Sequence, residues 1–202
     1  MKLISLDASP FVRKARVLVI ELGLQDTVLI HNPGAVTPIS NNDQLNSLNP
    51  LGMIPALELD DGSTLSDSNV ICEYLNHIGH GNFYPADTAL RFQTLGIMAI
   101  ADGILDLSVA VRYELAIRPE ALHWQEWITH QNEKVERALD TLESRSSHFQ
   151  SQPLIGEVTV ACALGYRDFR FGDNDWRQNR PGLSSWYETI SQRESFKQTI
   201  PA

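Results

Sequence analysis

Apolar and polar positions follow two different periods in the first part of the chain. Short apolar runs at residues 2–6 and 27–31 predict strands, while residues 11–22 carry apolar side chains at helical spacing. Gly23 suits the end of that helix. Residues 44–48 favour a short helix ahead of Asn49-Pro50. The pattern therefore begins with strand, helix, strand and weak helix.

Residues 49–68 combine a hairpin with the start of another helix. Two apolar runs, 56–59 and 63–65, flank Asp61-Gly62, and this dipeptide is typical of a hairpin turn. Pro55 lies ahead of the first run, where the missing N–H of proline does no harm to a sheet. Asp67 and Ser68 precede apolar residues at helical spacing. Such residues cap free N–H groups and leave a helix end that binds anions.

The rest of the chain is predicted to be helical. Residues 80–87 contain Gly81 and Pro85 and indicate a linker. A long apolar stripe over 92–111 carries Gly96 and Gly103, which suggests close approach of another helix, and Pro119 ends it. Further stripes occupy 124–142, 159–169 and 183–190. We predict an α/β domain at 1–79, a linker at 80–87 and an all-α domain at 88–202.

The first half resembles the thioredoxin-like domain of the glutathione S-transferase superfamily. In that family a cis-proline follows a residue whose backbone pairs with the cysteinyl part of glutathione. An acidic residue followed by Ser then holds the γ-glutamyl group. Ile54-Pro55 and Asp67-Ser68 match these positions, with Asp in place of the commoner Glu. The residues alone also allow a plain hairpin followed by a capped helix.

The second half resembles the same superfamily. Residues 154–162 look like the family's capping-box segment, with Thr159 at the capping position and Cys162 where an Asp is usual. The reciprocal cap is therefore expected to be lost. Residues 175–196 are similar to bacterial members. The resemblance covers almost the whole chain and implies the fold of this family.

The resemblance also implies a glutathione site that favours a thiolate. A free thiol is only a few per cent ionised at pH 7, so a site must stabilise the anion. Ser9 stands where the family keeps its thiol-contacting residue, and its role would be hydrogen-bond donor to the glutathione sulfur. Ser9 ahead of Pro10 equally suits plain helix initiation.

Further predictions concern other contacts to glutathione. Phe11 lies beside the site, and Arg13 is a candidate for electrostatic support. His31 and Asn32 follow the second strand and are candidates for the glycyl carboxylate. In the family an acidic residue of the partner subunit sometimes meets the γ-glutamyl ammonium. Asp102 or Asp106 is the candidate here.

The second substrate is expected to be a small apolar electrophile bound between the domains. The candidate residues for this site are Phe11, Arg112, Tyr113 and Tyr166. Packing or surface ion pairing explains Arg112 and Tyr113 equally well.

Composition narrows the possible partners. The net charge of -9 argues against nucleic acid and anionic membranes, and no unbroken apolar run has the length of a membrane span. The two cysteines and six histidines show no metal-binding spacing. We therefore expect a cytoplasmic homodimer that uses glutathione as co-substrate and no metal.

Three functions stay open at this stage. The first is conjugation of glutathione to an electrophile. The second is glutathione-dependent thiol reduction, which would require a cysteine in place of Ser9. The third is a non-catalytic binding or interaction module, which would not need Ser9, Pro55 and Ser68.

Overall fold

The computed structural model describes the whole chain, Met1–Ala202. The chain forms two compact units, one comprising residues 1–84 and 194–202 and the other residues 85–193. The first contains a small mixed sheet with helices and the second is all-helical. The predicted fold class is confirmed.

A four-stranded sheet forms the centre of the first unit. Strand β1 (Lys2–Ile4) pairs in parallel with β2 (Leu29–His31) and antiparallel with β3 (Ala56–Glu58). Strand β4 (Thr64–Ser66) completes the predicted hairpin and gives the strand order β2-β1-β3-β4. Gly62 has a φ of +83° in the turn, a conformation that glycine adopts without steric cost.

Eight α-helices surround or follow this sheet. They are α1 (Pro10–Glu21), α2 (Asp43–Leu48), α3 (Ser68–Ile78), α4 (Thr88–Ala116), α5 (Gln125–Arg145), α6 (Ile155–Arg170), α7 (Pro181–Ile190) and α8 (Glu194–Lys197). Short 3-10 turns occupy Glu120–Leu122 and Ser146–His148. Helix α4 ends ahead of Pro119, where the sequence pattern also ends.

The C-terminal segment belongs to the first unit, although the predicted boundary assigned residues 194–202 to the helical domain. The Arg13 guanidinium donates to the Phe196 carbonyl at 3.2 Å. The Ser195 hydroxyl donates to the Glu21 carboxylate at 2.5 Å. Phe196 is only 1% exposed, so the end of the chain contributes to the packing of α1.

Helix α6 is the buried centre of the second unit, and residues 155–167 are buried without exception. Gly156 allows α4 to come close, because a Cβ atom there would lie 2.6 Å from the Thr94 carbonyl oxygen. A Cβ atom at Gly96 or Gly103 would meet nothing within 4 Å. Within the chain, the prediction that these two glycines mark a close helix contact is therefore wrong.

Helix α6 starts one turn earlier than predicted. Thr159 lies inside the helix, where its hydroxyl donates to the Ile155 carbonyl at 2.8 Å, so the prediction that it caps the helix is wrong. The Glu157 carboxylate takes over the capping role and accepts from the backbone N–H of Leu154 at 2.6 Å. Glu157 also accepts from the N–H of Gln150 at 3.2 Å. The expected loss of a reciprocal cap through Cys162 therefore does not apply.

Helix α4 is long and apolar. It has the length and composition to cross a membrane, with a mean hydropathy of 1.7 over its best window, of which 33% is buried. The core helix of a soluble protein meets the same criteria, so this property is weak support for a membrane segment.

Substitution of Gly156 tests the packing of α4 on α6. Gly156→Ala should lower the free energy of unfolding by about 1–3 kcal/mol, because the added methyl group overlaps the backbone of Thr94. Within one subunit, Gly96→Ala is the matched control, since no atom of the same chain lies within 4 Å of the added methyl group, which also improves helix propensity. Urea denaturation of both variants measures the difference. Equal stability of Gly156→Ala and the parent would contradict the close approach.

Replacement of Glu157 tests the buried cap through the pH dependence of stability. Burial, the largest effect, raises the pKa of Glu157 above its ordinary value, while the N–H donors of Leu154 and Gln150 oppose the rise. The folded state therefore holds the proton more tightly than the unfolded state. The protonated Glu157 side chain contributes fully to stability below the pKa that it has in the unfolded state. This contribution is lost as the pH rises through the pKa that it has in the folded state.

Glu157→Gln keeps an acceptor for the Leu154 N–H but cannot ionise. Its free energy of unfolding should therefore fall less than that of the parent as pH rises above about 4.3. The exposed Glu188→Gln variant is the control for removal of one charge. Identical slopes for the parent and Glu157→Gln, measured by denaturation over this pH range, would contradict the raised pKa.

Candidate functional site

Sheet register brings four chain segments to one edge of the first unit. Ile4, the last residue of β1, pairs with both His31 at the end of β2 and Ala56 at the start of β3. Ala56 in turn pairs with Ser66 at the end of β4. The loops that carry the predicted glutathione residues therefore leave the sheet at the same edge.

The loop ahead of β3 is fixed by a cis peptide bond between Ile54 and Pro55, as predicted. Ile54 packs against the buried cluster of Ile4, Leu45 and Ala56. Packing of this side chain holds the backbone of residue 54 at the edge of the sheet. The geometry suits a backbone that pairs with an extended peptide-like ligand.

Asn49 stabilises this loop, a role that the sequence did not reveal. Its side chain is 3% exposed and donates to the Met53 carbonyl at 2.8 Å. The same side chain accepts from the N–H of Leu51 at 3.1 Å. An Asn directly ahead of Pro50 was the available signal for such a turn.

The start of α3 presents a carboxylate and a buried hydroxyl. Asp67 adopts a left-handed φ of 62° and its carboxylate accepts from the N–H of Asn69 at 2.7 Å. The Asp67 side chain is otherwise exposed, whereas Ser68 is 4% exposed. A ligand here would meet an acceptor for an ammonium group and the positive end of a helix dipole for a carboxylate.

A buried lysine ties α1 to this helix start. Lys14 is fully buried, and its ammonium group donates to the Asn69 side-chain oxygen at 2.6 Å. This hydrogen bond joins α1 to the start of α3 beside the sheet edge. Sequence reasoning missed Lys14, although a lysine between the apolar residues Val12 and Ala15 was the signal.

Ser9 is the N-cap of α1 and lies half-buried at the sheet edge. Its hydroxyl oxygen accepts from the Val12 N–H at 3.4 Å. This contact uses a lone pair and leaves the hydroxyl proton available for another acceptor. An anion beside α1 can therefore meet the Ser9 hydroxyl in addition to backbone N–H groups.

Arg13 contacts the C-terminal segment of the chain. It is 4% exposed, donates to Thr199 and Phe196 of the C-terminal segment, and lies 5.6 Å from the centre of the Phe196 ring. These contacts give Arg13 a structural role. Its electrostatic support of the ligand stays a prediction.

The candidates after β2 occupy the expected edge. His31 is half-buried and its carbonyl accepts from the N–H of Ser5 at 2.9 Å. Asn32 is exposed, and its side chain accepts from the Gly34 N–H at 2.8 Å, which shapes the turn. Contacts from either residue to a glycyl carboxylate stay predictions.

The remaining candidates divide between the two units. Phe11 is half-buried on α1 of the first unit. Asp102, Arg112 and Tyr113 are half-buried on α4, and Tyr166 is 4% exposed on α6. Burial raises the pKa of both Tyr113 and Tyr166, so both phenols are neutral near pH 7. Nowhere does the structure gather three or more His, Cys, Asp or Glu side chains in a geometry suited to a metal ion.

Comparison with known proteins matches both units to one family. The model of the glutathione S-transferase N-terminal domain matches residues 8–78, and that of the C-terminal domain matches residues 125–189. The uncharacterized GST-like protein YibF of Escherichia coli (strain K12) is 32% identical over 205 aligned positions, which cover 100% of this chain and 98% of YibF.

Solved structures agree with this match. A glutathione transferase family member from Pseudomonas fluorescens Pf-5 with bound glutathione is 45% identical, with a TM-score of 0.96 and coverage of 100% of this chain and 98% of that chain. A glutathione S-transferase from Methylobacillus flagellatus KT with glutathione bound is 33% identical, with a TM-score of 0.90 and coverage of 100% and 99%. The present chain belongs to the glutathione S-transferase superfamily.

Proposed function

We propose that this protein conjugates the thiolate of glutathione to a small electrophile with an apolar body. The observation that carries the proposal is that the segments leading to Ser9, to the cis peptide bond at Pro55 and to the Asp67-Ser68 helix start meet the sheet at one edge. Related structures that contain glutathione support it. A structure from Pseudomonas fluorescens Pf-5 that contains S-(propanoic acid)-glutathione, 44% identical, supports a sulfur that carries a substituent.

Each part of glutathione has a candidate partner in the first unit. The backbone of Ile54 would pair with the cysteinyl residue, and Asp67 with Ser68 would hold the γ-glutamyl group. His31 and Asn32 would approach the glycyl carboxylate. The Ser9 hydroxyl would donate to the sulfur and lower the pKa of the bound thiol, because a hydrogen bond to the charged form favours that form.

Thiol reduction is the weaker alternative. Position 9 holds a serine, and both cysteines, Cys72 and Cys162, are fully buried and outside any disulfide. A buried thiol cannot reach the disulfide of a substrate without local unfolding. A non-catalytic glutathione-binding or interaction module is the other alternative, and an assay of conjugation separates it from the transferase.

Replacement of Ser9 tests the transferase mechanism. Loss of a charge-assisted hydrogen bond of about 1.5–3 kcal/mol should raise the pKa of bound glutathione by about 1–2 units in Ser9→Ala. The conjugation rate at neutral pH should then fall about 10–100-fold if thiolate formation controls it. Titration of the thiolate absorbance measures the first effect and turnover of an electrophile panel the second.

Asp87→Ala is the matched control for loss of a helix cap. Asp87 caps α4 in the second unit by accepting from the Leu90 N–H at 2.8 Å. Both variants should lose about 0.5–2 kcal/mol of stability, whereas only Ser9→Ala should change the thiol pKa. An unchanged thiol pKa in Ser9→Ala would mean that Ser9 acts only as a helix cap. The backbone N–H groups of α1 would then be the groups expected to stabilise the thiolate.

We further propose a cytoplasmic, two-fold homodimer in which the partner subunit's Asp102 or the partner subunit's Asp106 approaches the γ-glutamyl ammonium. The open face of α4 supports the dimer, because no part of the same chain fills the space beside Gly96 and Gly103. Phe92 on this helix is 67% exposed, which is unusual for a large apolar side chain. Two-fold pairs are the commonest soluble oligomers.

Sedimentation at micromolar concentration tests the dimer. The parent should sediment at about twice the chain mass of 22.6 kDa. Gly103→Leu should shift the equilibrium toward the monomer, because the larger side chain fills the space that the partner helix would occupy. A parent protein that sediments as a monomer near 22.6 kDa would contradict the proposal.

A further inference from the structure

Two arginines and two tyrosines form a cluster on the packed helices α4 and α6. Arg112 and Tyr113 are adjacent on α4, while Tyr166 and Arg170 are one turn apart on α6. Arg112, Arg170 and Tyr113 all lie close enough to the Tyr166 phenol to act on it electrostatically. Arg170 acts on Tyr113 as well. We call these four residues the Arg–Tyr cluster.

Neither arginine of the cluster has an acidic partner. Arg177 and Arg180 of the same unit pair with Asp168 at 2.7 Å and Asp140 at 2.6 Å, whereas Arg112 and Arg170 form no ion pair with a carboxylate. The Nε atom of Arg170 is buried and has no hydrogen-bond partner. A buried N–H group without an acceptor is costly, so an external acceptor would be stabilising here.

A third arginine, Arg167, has no hydrogen-bond partner and lies in a different environment. It is 1% exposed and lies over the Phe171 ring at 4.1 Å. The Glu136 carboxylate of α5, in the same helical unit, stabilises the positive charge of Arg167. Arg112, Tyr113 and Arg170 are instead half-buried, so solvent and small ligands reach them.

The chemistry of the cluster suits a carboxylate attached to a flat apolar body. Because burial raises the pKa of Tyr113 and Tyr166, the phenols remain neutral donors and do not cancel the arginine charges. Guanidinium groups bind carboxylates through paired N–H donors. Aromatic rings supply the apolar contact: the Arg170 guanidinium already lies 3.8 Å from the centre of the Phe169 ring. A neutral apolar ligand would leave both arginine charges uncompensated.

We propose that the Arg–Tyr cluster binds the second substrate and selects electrophiles that carry a carboxylate. This inference rests on the proposed transferase function and narrows its substrate class. For 4-chloro-3-nitrobenzoate, the glutathione sulfur bonds to the ring carbon that carries chlorine, and the C–Cl bond breaks. Chloride leaves with the electron pair of that bond. The carboxylate takes no part in the reaction and serves only for recognition.

Matched ligands separate recognition of the carboxylate from catalysis. Isothermal titration calorimetry gives dissociation constants for 4-chloro-3-nitrobenzoate, its methyl ester and glutathione, each alone with the intact protein. The acid should bind about tenfold or more tightly than the ester, as expected for a charge-assisted hydrogen bond. The same preference should appear in kcat/KM after each rate is divided by the uncatalysed rate.

Variants assign the preference to the cluster. Arg112→Gln and Arg170→Gln should each lose most of the preference for the acid, while Arg170→Lys should retain part of it through its charge. Arg137→Gln removes an exposed arginine of α5 and should keep the full preference. The affinity for glutathione should be unchanged in all four variants.

Two results would overturn the inference. One is an ester that binds the parent protein as tightly as the acid does. The other is a preference for the acid that survives in both Arg112→Gln and Arg170→Gln. Absent glutathione binding together with an arginine-dependent preference would reject the transferase function alone and would support the anion site.

Discussion

The pairing of Ile4 with both His31 and Ala56 is the constraint on which the candidate glutathione site depends. A parallel partner on one side and an antiparallel partner on the other bring the end of β1 and the end of β2 beside the start of β3. A shift of β3 by one residue would exchange the faces on which Ala56 and Leu57 pack and would displace the cis peptide bond from this edge of the sheet. Burial of Leu3, Ile4, Ala56 and Leu57 therefore fixes the geometry of a polar site.

Buried polar groups then fix the helices around this edge. Lys14 bonds to Asn69 between α1 and α3, and Arg13 bonds to the C-terminal segment. In the helical unit, Glu157 binds the backbone N–H groups ahead of α6. Lys14, Arg13 and Glu157 are each at most 4% exposed, and each joins segments that are distant in sequence or lie at a helix end. A buried ionisable group is tolerated only with such partners, so these contacts specify the arrangement of the helices.

The two units differ in how they present charge. The first offers the dipole of α3, the Asp67 carboxylate and backbone groups, which suit a zwitterionic peptide. The second offers unpaired arginines beside neutral tyrosines, although the whole chain carries a net charge of -9. Local fields at such sites are stronger than the effect of the net charge on a small ligand, because the surrounding protein reduces screening.

Local signals in the sequence were sufficient for much of the fold. The D-G turn, the proline ahead of β3 and the helical spacing of apolar residues depend on nearest neighbours, and the structure contains the corresponding hairpin and long helices. The cis bond at Pro55 was expected only from the resemblance of Ile54-Pro55 to the family motif. The start of α6 was predicted one turn too late. Both Thr159 and Glu157 are suitable capping residues in the sequence, and in the structure Glu157 makes the cap.

Only the tertiary structure decided which polar residues lie beside the candidate glutathione site and which ones join segments inside the protein. Arg13 and Lys14 are adjacent and lie within about one and a half helical turns of Ser9. Arg13 nevertheless contacts residues 196 and 199, whereas Lys14 contacts residue 69. The Arg–Tyr cluster likewise combines two helices that are separated by α5 in the chain. Periodicity gives the face of a helix on which a residue lies. The identity of the group opposite that face depends on how segments far apart in the chain pack, and no local pattern contains this information.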